Sequence, residues 1–285
     1  MNCTSSLNVS KTKTKNSGRN SETSLQMSTS PKISCLTVTQ DRLVQLKMAI
    51  KCYEDQTYPN KELVIVTDGT DWFKRAVSDY IKHLDRHDIR LVLLEQKDHK
   101  LGQLRNISIA EAQGDIICQW DDDDLYHPKR LQVQFEQMAA DTADASFFTD
   151  QLQYWWEDRV LNWVDWTKDS HMGPWQLIPG TVMMYKNMNF SYPEDGIYAR
   201  IGEDSALLDS MVQHLKISRL SKCGYLYVYT YHGRNTFSRE HHGRISKLYG
   251  RNLGLLEQFD DSIWKHLTYY PIARPVRFNI LSHIQ

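Results

Sequence analysis

Four consecutive aspartates, Asp121, Asp122, Asp123 and Asp124, follow the apolar run 115–120 (DIICQW). Adjacent carboxylates repel one another, and without a counter-charge the run is unfavourable. A bound divalent cation resolves the conflict. Oxygen ligands suit Mg²⁺ or Mn²⁺, and sites for these ions combine one or two carboxylates with substrate phosphates. Such a cation neutralises a diphosphate and stabilises it as a leaving group. The alternative is a solvated acidic turn capping the helix that opens near Pro128, because aspartate suits helix N-termini. Spacing alone leaves both open, although a cap needs only one or two aspartates.

The elements around the run follow from periodicity. Residues 33–39 (ISCLTVT), 62–67 (ELVIVT), 89–95 (IRLVLLE) and 115–120 are short apolar runs of strand character. Between them, Leu43, Leu46 and Ile50 recur at helical spacing, as do Phe73, Val77, Tyr80, Ile81 and Leu84. Residues 102–113 are helix-prone, with Gly114 as a stop. Leu131, Phe135 and Met138 continue a helix whose first turn holds Pro128. Strands that are apolar throughout have both faces covered. Strand and helix alternate four times, which predicts an α/β fold with a doubly wound, mainly parallel, Rossmann-like sheet. Ligands of such sheets bind beyond the carboxyl ends of the strands. Asp68 and the aspartate run both sit just past strand ends and should converge there. The second half is less regular. Residues 145–149, 180–185 and 225–231 read as strands, and 203–216 as a helix.

The 285 residues are 41% hydrophobic and 24% charged, which suits one large globular domain. Residues 1–31 are rich in Ser, Thr, Asn and Lys and are expected to form a disordered tail. Residues 32–250 form the domain, with a ligand-binding half at 32–128 and a second, mixed half at 129–250. Residues 251–285 are a C-terminal extension. Thirty-four basic and 35 acidic residues balance to a net charge of −1, which argues against a nucleic-acid partner. Five scattered cysteines without CxxC spacing read as reduced thiols, and Cys35 and Cys118 as core residues. No run approaches the roughly 20 apolar residues of a membrane helix. A cytoplasmic protein is expected, with peripheral membrane attachment as the other option.

Motifs in order along the chain resemble those of the inverting glycosyltransferases of family 2, which have the GT-A fold. Residues 39–42 (TQDR) stand where that family has T-Y-N-R, and 64–71 (VIVTDGTD) are similar to its V-V-D-D-G-S-T-D. Residues 101–106 (LGQLRN) are similar to G-x-x-x-A-R-N, and 120–128 (WDDDDLYHP) to L-D-x-D-D-x-x-x-P. Residues 202–204 (GED) match its G-E-D, and 231–235 (YHGRN) resemble a late H-x-x-N element. Val38, Gln40 and Thr67 depart from the family's proline, aromatic residue and first aspartate, and these bear on nucleobase recognition. The resemblance implies sugar transfer from a nucleotide diphosphate donor, UDP-sugar being the first choice, to a glycan, lipid-linked or protein acceptor. It places Thr39 and Asp68 at the donor's nucleoside, and Asp122 at its ribose or sugar. Asp121 and Asp123 become the D-x-D pair at Mn²⁺ or Mg²⁺, with His232 as a further ligand. Asp204 becomes the general base, beside Glu203.

Each of these residues has a plainer reading. Glu203 and Asp204 could cap a helix after Gly202. Arg105 could be a surface helix residue rather than a phosphate contact. His232 could be structural, and His241 and His242 a solvated turn. Trp155, Trp156, Trp163, Trp166 and Trp175 fall within 21 residues. They could be the core of a packed hairpin, or a platform for sugar rings, with Trp175 the best candidate for acceptor binding. Gly180, after Pro179, would let the backbone approach the donor sugar. No GxSxG or other nucleophile motif is present, so direct displacement with inversion is expected. Two other functions compete: a nucleotidyltransferase acting on a sugar phosphate, and a non-catalytic carbohydrate-binding protein.

Overall fold

Four apolar runs become parallel strands in the computed structural model: β1 (Ile33–Val38), β2 (Lys61–Thr67), β3 (Ile89–Leu93) and β4 (Ile116–Gln119). The structure describes residues 30–168, 173–186, 190–251, 262–272 and 277–278. The expected disordered tail therefore lies almost wholly outside the described residues. Contacts divide the chain after Ser30, and everything below concerns the unit that starts at Pro31.

The intervening helices are α1 (Leu43–Glu54), α2 (Asp71–Leu84), α3 (Leu101–Glu111) and α4 (Arg130–Ala140). Three further strands, β6 (Ala145–Phe148), β9 (Met183–Tyr185) and β10 (Ile217–Leu220), complete a seven-stranded sheet in the order β10-β6-β9-β4-β1-β2-β3. Only β9 runs against its neighbours. Ile33, Leu63, Val64, Ile65, Val66 and Ile116 are fully buried, because helices cover both faces. Each such side chain contributes about 1.5–3 kcal/mol through burial. Strand order reverses between β1 and β4, so the chain leaves their carboxyl ends in opposite directions and opens a crevice there. The fold is α/β with a mainly parallel sheet, as the alternation predicts.

The second half builds another sheet. β5 (Leu125–Tyr126), β7 (Asp150–Trp155), β8 (Val160–Asp165), β11 (Tyr227–Tyr231) and β12 (Gly250–Arg251) lie in the order β12-β8-β7-β11-β5, and β13 (Arg277–Phe278) pairs with β8. The β7–β8 hairpin holds Trp155, Trp156 and Trp163 of the tryptophan-rich segment, whereas Trp166 and Trp175 lie beyond it. Two helices of this half, α5 (Glu203–His214) and α6 (Arg239–Tyr249), flank the crevice. His241 and His242 lie on α6 rather than in a solvated turn: His242 is 2% exposed and stacks on Tyr229. The C-terminal extension contributes α7 (Ser262–Leu267), whose Leu267 packs in the main core with Tyr270 beyond it. Among the described residues, no helix is long and apolar enough to cross a membrane, and Cys35, Cys52, Cys118 and Cys223 are free.

The start of α3 is pinned by the segment before α5. Asn106 exchanges two hydrogen bonds with the Tyr192 backbone, at 2.9 and 2.8 Å. Gly102 lies beneath, where a Cβ would sit 2.0 Å from the Pro193 carbonyl oxygen. Gly102→Ala gains about 1 kcal/mol of helix propensity but must push backbone aside, an overpacking that costs typically 1–3 kcal/mol and here more than cancels the gain. A lowered midpoint in urea unfolding is the expected result.

Candidate active site

The carboxyl ends of β1, β2 and β4 bring three loops together. Asp41, in the left-handed region at φ 54°, accepts hydrogen bonds from the Thr70 backbone and hydroxyl at 3.2 and 2.6 Å. Aspartate tolerates that conformation because its short side chain bonds locally. The knot aims Arg42 at the acidic run. Asp68, almost fully buried, accepts from the His99 backbone N–H at 2.9 Å and faces the His99 ring at 3.2 Å. Gln40 reaches its other oxygen at 3.4 Å.

The four aspartates separate. Asp121 accepts from Arg105 at 3.0 Å and from Gln119 at 2.9 Å. Asp122 accepts from the Thr39 hydroxyl at 2.6 Å and pairs with Arg42 at 2.8 Å. Asp123 takes the other arm of Arg42 at 2.7 Å and the His232 ring Nε2 at 2.9 Å. Asp124 accepts from the Tyr227 hydroxyl, and from the Thr230 backbone N–H at 2.9 Å. The helix-cap reading does not hold: β5 intervenes, and the first turn of α4 contains no acidic residue.

Burial and mutual repulsion then sort the protons. Burial and the Asp123 charge push Asp122 up to about 7. Burial, with Asp123 and Asp121, pushes Asp124 well above the carboxylate range. Asp123 goes the other way: burial opposes its charge, but His232 and Arg42 outweigh it and hold its pKa below the usual value. Asp123 is thus the ionised, partly buried member that faces His232, while its neighbours lean toward the neutral form.

Arg105 ties the run to the second half of the chain. Its guanidinium bridges Asp121 and, at 2.8 Å, Glu203. It is 7% exposed, so it is not a surface helix residue. Burial works against its charge, yet Asp121 and Glu203 hold its pKa well above the ordinary value. Gly202, at φ +76°, turns the chain so that Glu203 and Asp204 open α5. Glu203 faces inward to Arg105. Asp204 has no hydrogen bond from Arg105; its carboxylate accepts from the Ser205 N–H at 2.7 Å. Burial and the Glu203 charge raise Asp204 to about 7.

Two cavities flank the run. One, of ≈320 Å³, is lined by Asp121, Gly180, Trp175, Asp204 and Tyr227. Trp175 sits at its wall with the indole N–H on Asp209 at 3.0 Å. A Cβ on Gly180 would reach Asp121 and Gln119 at 3.4 Å, so the glycine keeps the mouth clear. The other cavity, of ≈520 Å³, is lined by Arg42, Asp123, His232 and Arg234. Asp121 and Asp123 therefore face different spaces, and of the expected metal ligands only Asp123 and His232 touch. Among the described residues no group of three or more His, Cys, Asp or Glu side chains converges on a point. One carboxylate and one imidazole fit a cation that takes its remaining ligands from diphosphate and water. Arg42, Gln119 and Tyr227 are the contributors that spacing did not single out. Arg42 lies within the TQDR motif, but its partners are 80 and 81 residues away.

A crevice at the strand-order reversal, rimmed by carboxylates with arginines between them, belongs to an α/β fold of the GT-A type. Residues 34–193, more than half of the chain, match the family described as Glycosyl transferase family 2. The chain belongs to that family. It is 27% identical over 99 residues to a cholesterol galactosyltransferase of Borreliella burgdorferi, covering 35% of this chain and 27% of that protein. It is 30% identical over 84 residues to the O-antigen biosynthesis glycosyltransferase WbnJ of Escherichia coli, covering 30% and 32%. The chain thus spans about a third of the length of these relatives. Among solved structures it is similar to S. aureus TarS 1–349 in complex with UDP, with a TM-score of 0.54 and 16% identity over 76% of this chain and 70% of that one. It is also similar to the mannosyltransferase PcManGT of Pyrobaculum calidifontis in complex with GDP-Man and Mn²⁺, with a TM-score of 0.53 and 14% identity over 83% and 65%. At these identities the structural likeness establishes the fold alone.

Arg105→Met would leave Asp121 and Glu203 facing each other without a cation. Breaking a buried pair in this way costs about 3–5 kcal/mol. Arg105→Lys keeps the charge but loses the fork that spans both carboxylates, so it should fall between wild type and Arg105→Met. Guanidinium unfolding of the three proteins checks the order.

Proposed function

We propose that this protein transfers a sugar from a nucleoside diphosphate donor to a hydroxyl acceptor, with inversion at the anomeric carbon. The observation that carries the reading is the Asp121–Arg105–Glu203 bridge. It ties the acidic run to the start of α5, and Asp121 and Asp204 line one cavity.

In this reading Asp68 and Thr39 lie at the nucleoside and Asp122 at the ribose or sugar. Thr39 acts partly through Asp122, whose carboxylate its hydroxyl holds. Asp121 and Gly180 border the donor sugar. Arg105 acts as a positioning residue, since both of its carboxylate partners are intramolecular. The acceptor hydroxyl gives its proton to Asp204. Its oxygen attacks the anomeric carbon from the face opposite the diphosphate, and the bond to the diphosphate breaks with its electron pair leaving on the diphosphate oxygen. A general base contributes typically 10²–10⁴-fold when its pKa lies near the working pH, and Asp204 at about 7 meets that condition. Asp123 and His232 would hold Mn²⁺ or Mg²⁺, which supplies charge neutralisation to the departing diphosphate. Arg42 and Arg234 line the same cavity and add positive charge beside it. The complexes of structural neighbours with UDP and with GDP-Man plus Mn²⁺ support a nucleotide-sugar donor and a divalent cation. UDP is our first choice of nucleotide.

Four outcomes are expected. Asp204→Asn should retain UDP binding and lose about 10²–10⁴-fold in transfer; undiminished transfer removes Asp204 as the base. Because its carboxyl is protonated below about 7, wild-type kcat/KM should rise with pH and level off above that value. Asp123→Ala and excess EDTA should each abolish turnover, and full activity in EDTA would overturn the role of the cation. Release of free nucleoside diphosphate, not pyrophosphate, separates this reaction from nucleotidyl transfer.

A further inference from the structure

Asp121 is the member of the acidic run that lines the ≈320 Å³ cavity with Asp204, and its carboxylate is clamped from two sides. Arg105 Nη2 donates to Oδ1 at 3.0 Å. Gln119 Nε2 donates to Oδ2 at 2.9 Å. Both arms lead back to the segment that runs into α5. Arg105 is held by Glu203, the first residue of α5, at 2.8 Å. Gln119 is held by Tyr192, whose hydroxyl donates to Oε1 at 3.0 Å.

The direction of the second arm is dictated by its end. A glutamine amide has two orientations that exchange its oxygen and nitrogen, and its neighbours choose between them. The Asp121 carboxylate, paired with Arg105, only accepts, so Nε2 faces it. Oε1 is then turned to Tyr192, which must donate. Burial raises the pKa of Tyr192, so its hydroxyl keeps the proton that this requires. The ring is fixed as well. The Tyr192 backbone is tied to Asn106, the Arg105 guanidinium lies 5.5 Å from the ring centroid, and the ring packs in a core shared with Leu104 and Leu207.

Tyr192 and Gln119 are 6% and 3% exposed and stand behind Asp121, whose side chain is 19% exposed. Each carboxylate oxygen has two lone pairs. One protein donor on each leaves acceptor capacity toward the cavity. A carboxylate held through one oxygen swings about that bond, and donors on both oxygens fix its plane. A fixed acceptor meets a hydroxyl without the cost of ordering a side chain.

Building on the transferase reading above, we infer that Tyr192 and Gln119 are positioning residues for the donor: the Tyr192 hydroxyl sets the Gln119 amide, and the amide fixes the Asp121 carboxylate that accepts a hydroxyl of the donor sugar.

Calorimetry on the full chain with Mn²⁺ compares UDP-glucose, UDP-galactose, UDP-N-acetylglucosamine and GDP-mannose with UDP and GDP. The nucleotide sugar that binds wild type most tightly is carried into the variants. Tyr192→Phe keeps the ring and removes the donor, and Gln119→Met keeps the length and removes the amide. Each should weaken nucleotide-sugar binding about 5- to 10-fold, the worth of one neutral hydrogen bond, and leave binding of the bare nucleoside diphosphate unchanged. Because Tyr192 acts through Gln119, the double variant should bind no more weakly than Gln119→Met. A structural defect would weaken both ligands, and independent roles would add. In the ligand-free protein, NMR of side-chain amides follows the same contacts: the signals absent from Gln119→Met are those of Gln119, and Tyr192→Phe should shift them and speed their exchange with water. The inference is overturned if either single variant binds the nucleotide sugar like wild type, if sugar and bare nucleotide weaken alike, if the two substitutions add, or if the Gln119 signals are unmoved in Tyr192→Phe. Binding of no nucleotide sugar by wild type would count against the transferase reading instead, and the Gln119 signals would still decide whether Tyr192 sets the amide.

Discussion

Ionised carboxylates share a buried edge only where cations stand between them, and Arg42 and Arg105 supply those cations; Asp124, which has none, leans to its neutral form. Arg42 separates Asp122 from Asp123, and Arg105 separates Asp121 from Glu203. Everything else in the site follows from this. Arg42 is presented by the loop after β1, whose conformation the Asp41–Thr70 contact fixes. Arg105 comes from α3, which the segment at residues 192–194 holds down. The neutralised run can then splay, Asp121 into one cavity and Asp123 into the other, instead of extending into solvent as an acidic turn.

The first half of the fold was legible because its strands are buried on both faces, so their sequences are apolar without interruption. The second half was not, and β7 shows why. Its sequence DQLQYW alternates polar and apolar, which normally marks a half-exposed strand, yet both faces are covered. The helix that covers it, α6 (REHHGRISKLY), has low apolar content and a central glycine. Gly243 and Ser246 are buried in it all the same. Small and polar residues are wanted there because the surface beneath is polar, and no periodicity rule registers that.

The site divides in the same way. Asp68, the aspartate run, Glu203, Asp204 and His232 stand in motifs, and ordered motifs can be read from one chain. What they do to one another cannot. That Arg105 meets Glu203, or that Asp124 meets Thr230 and Tyr227, depends on side chains 98 to 106 residues apart. The motif resemblance implies a donor-phosphate contact for Arg105. Its burial between two carboxylates commits its Nε and one Nη2 donor inside the protein, which is why the proposal above gives it a positioning part.

The polar burial also has a thermodynamic direction. Asp204 rises to about 7 in the folded chain, against about 3.9 for an unperturbed aspartate. A raised folded pKa means the native state holds its proton more tightly. The stabilisation from that group is therefore complete below about pH 4 and is lost as pH rises through about 7. Asp123, held below the usual range, contributes in the opposite sense: its stabilisation is present above the unfolded pKa and fades as pH falls. The form of Asp204 able to take a proton is thus its less stable one, while the ionised form of Asp123 is its more stable one. A base that must accept a proton is useful when the fold disfavours its charge, and a cation ligand is useful when the fold secures it.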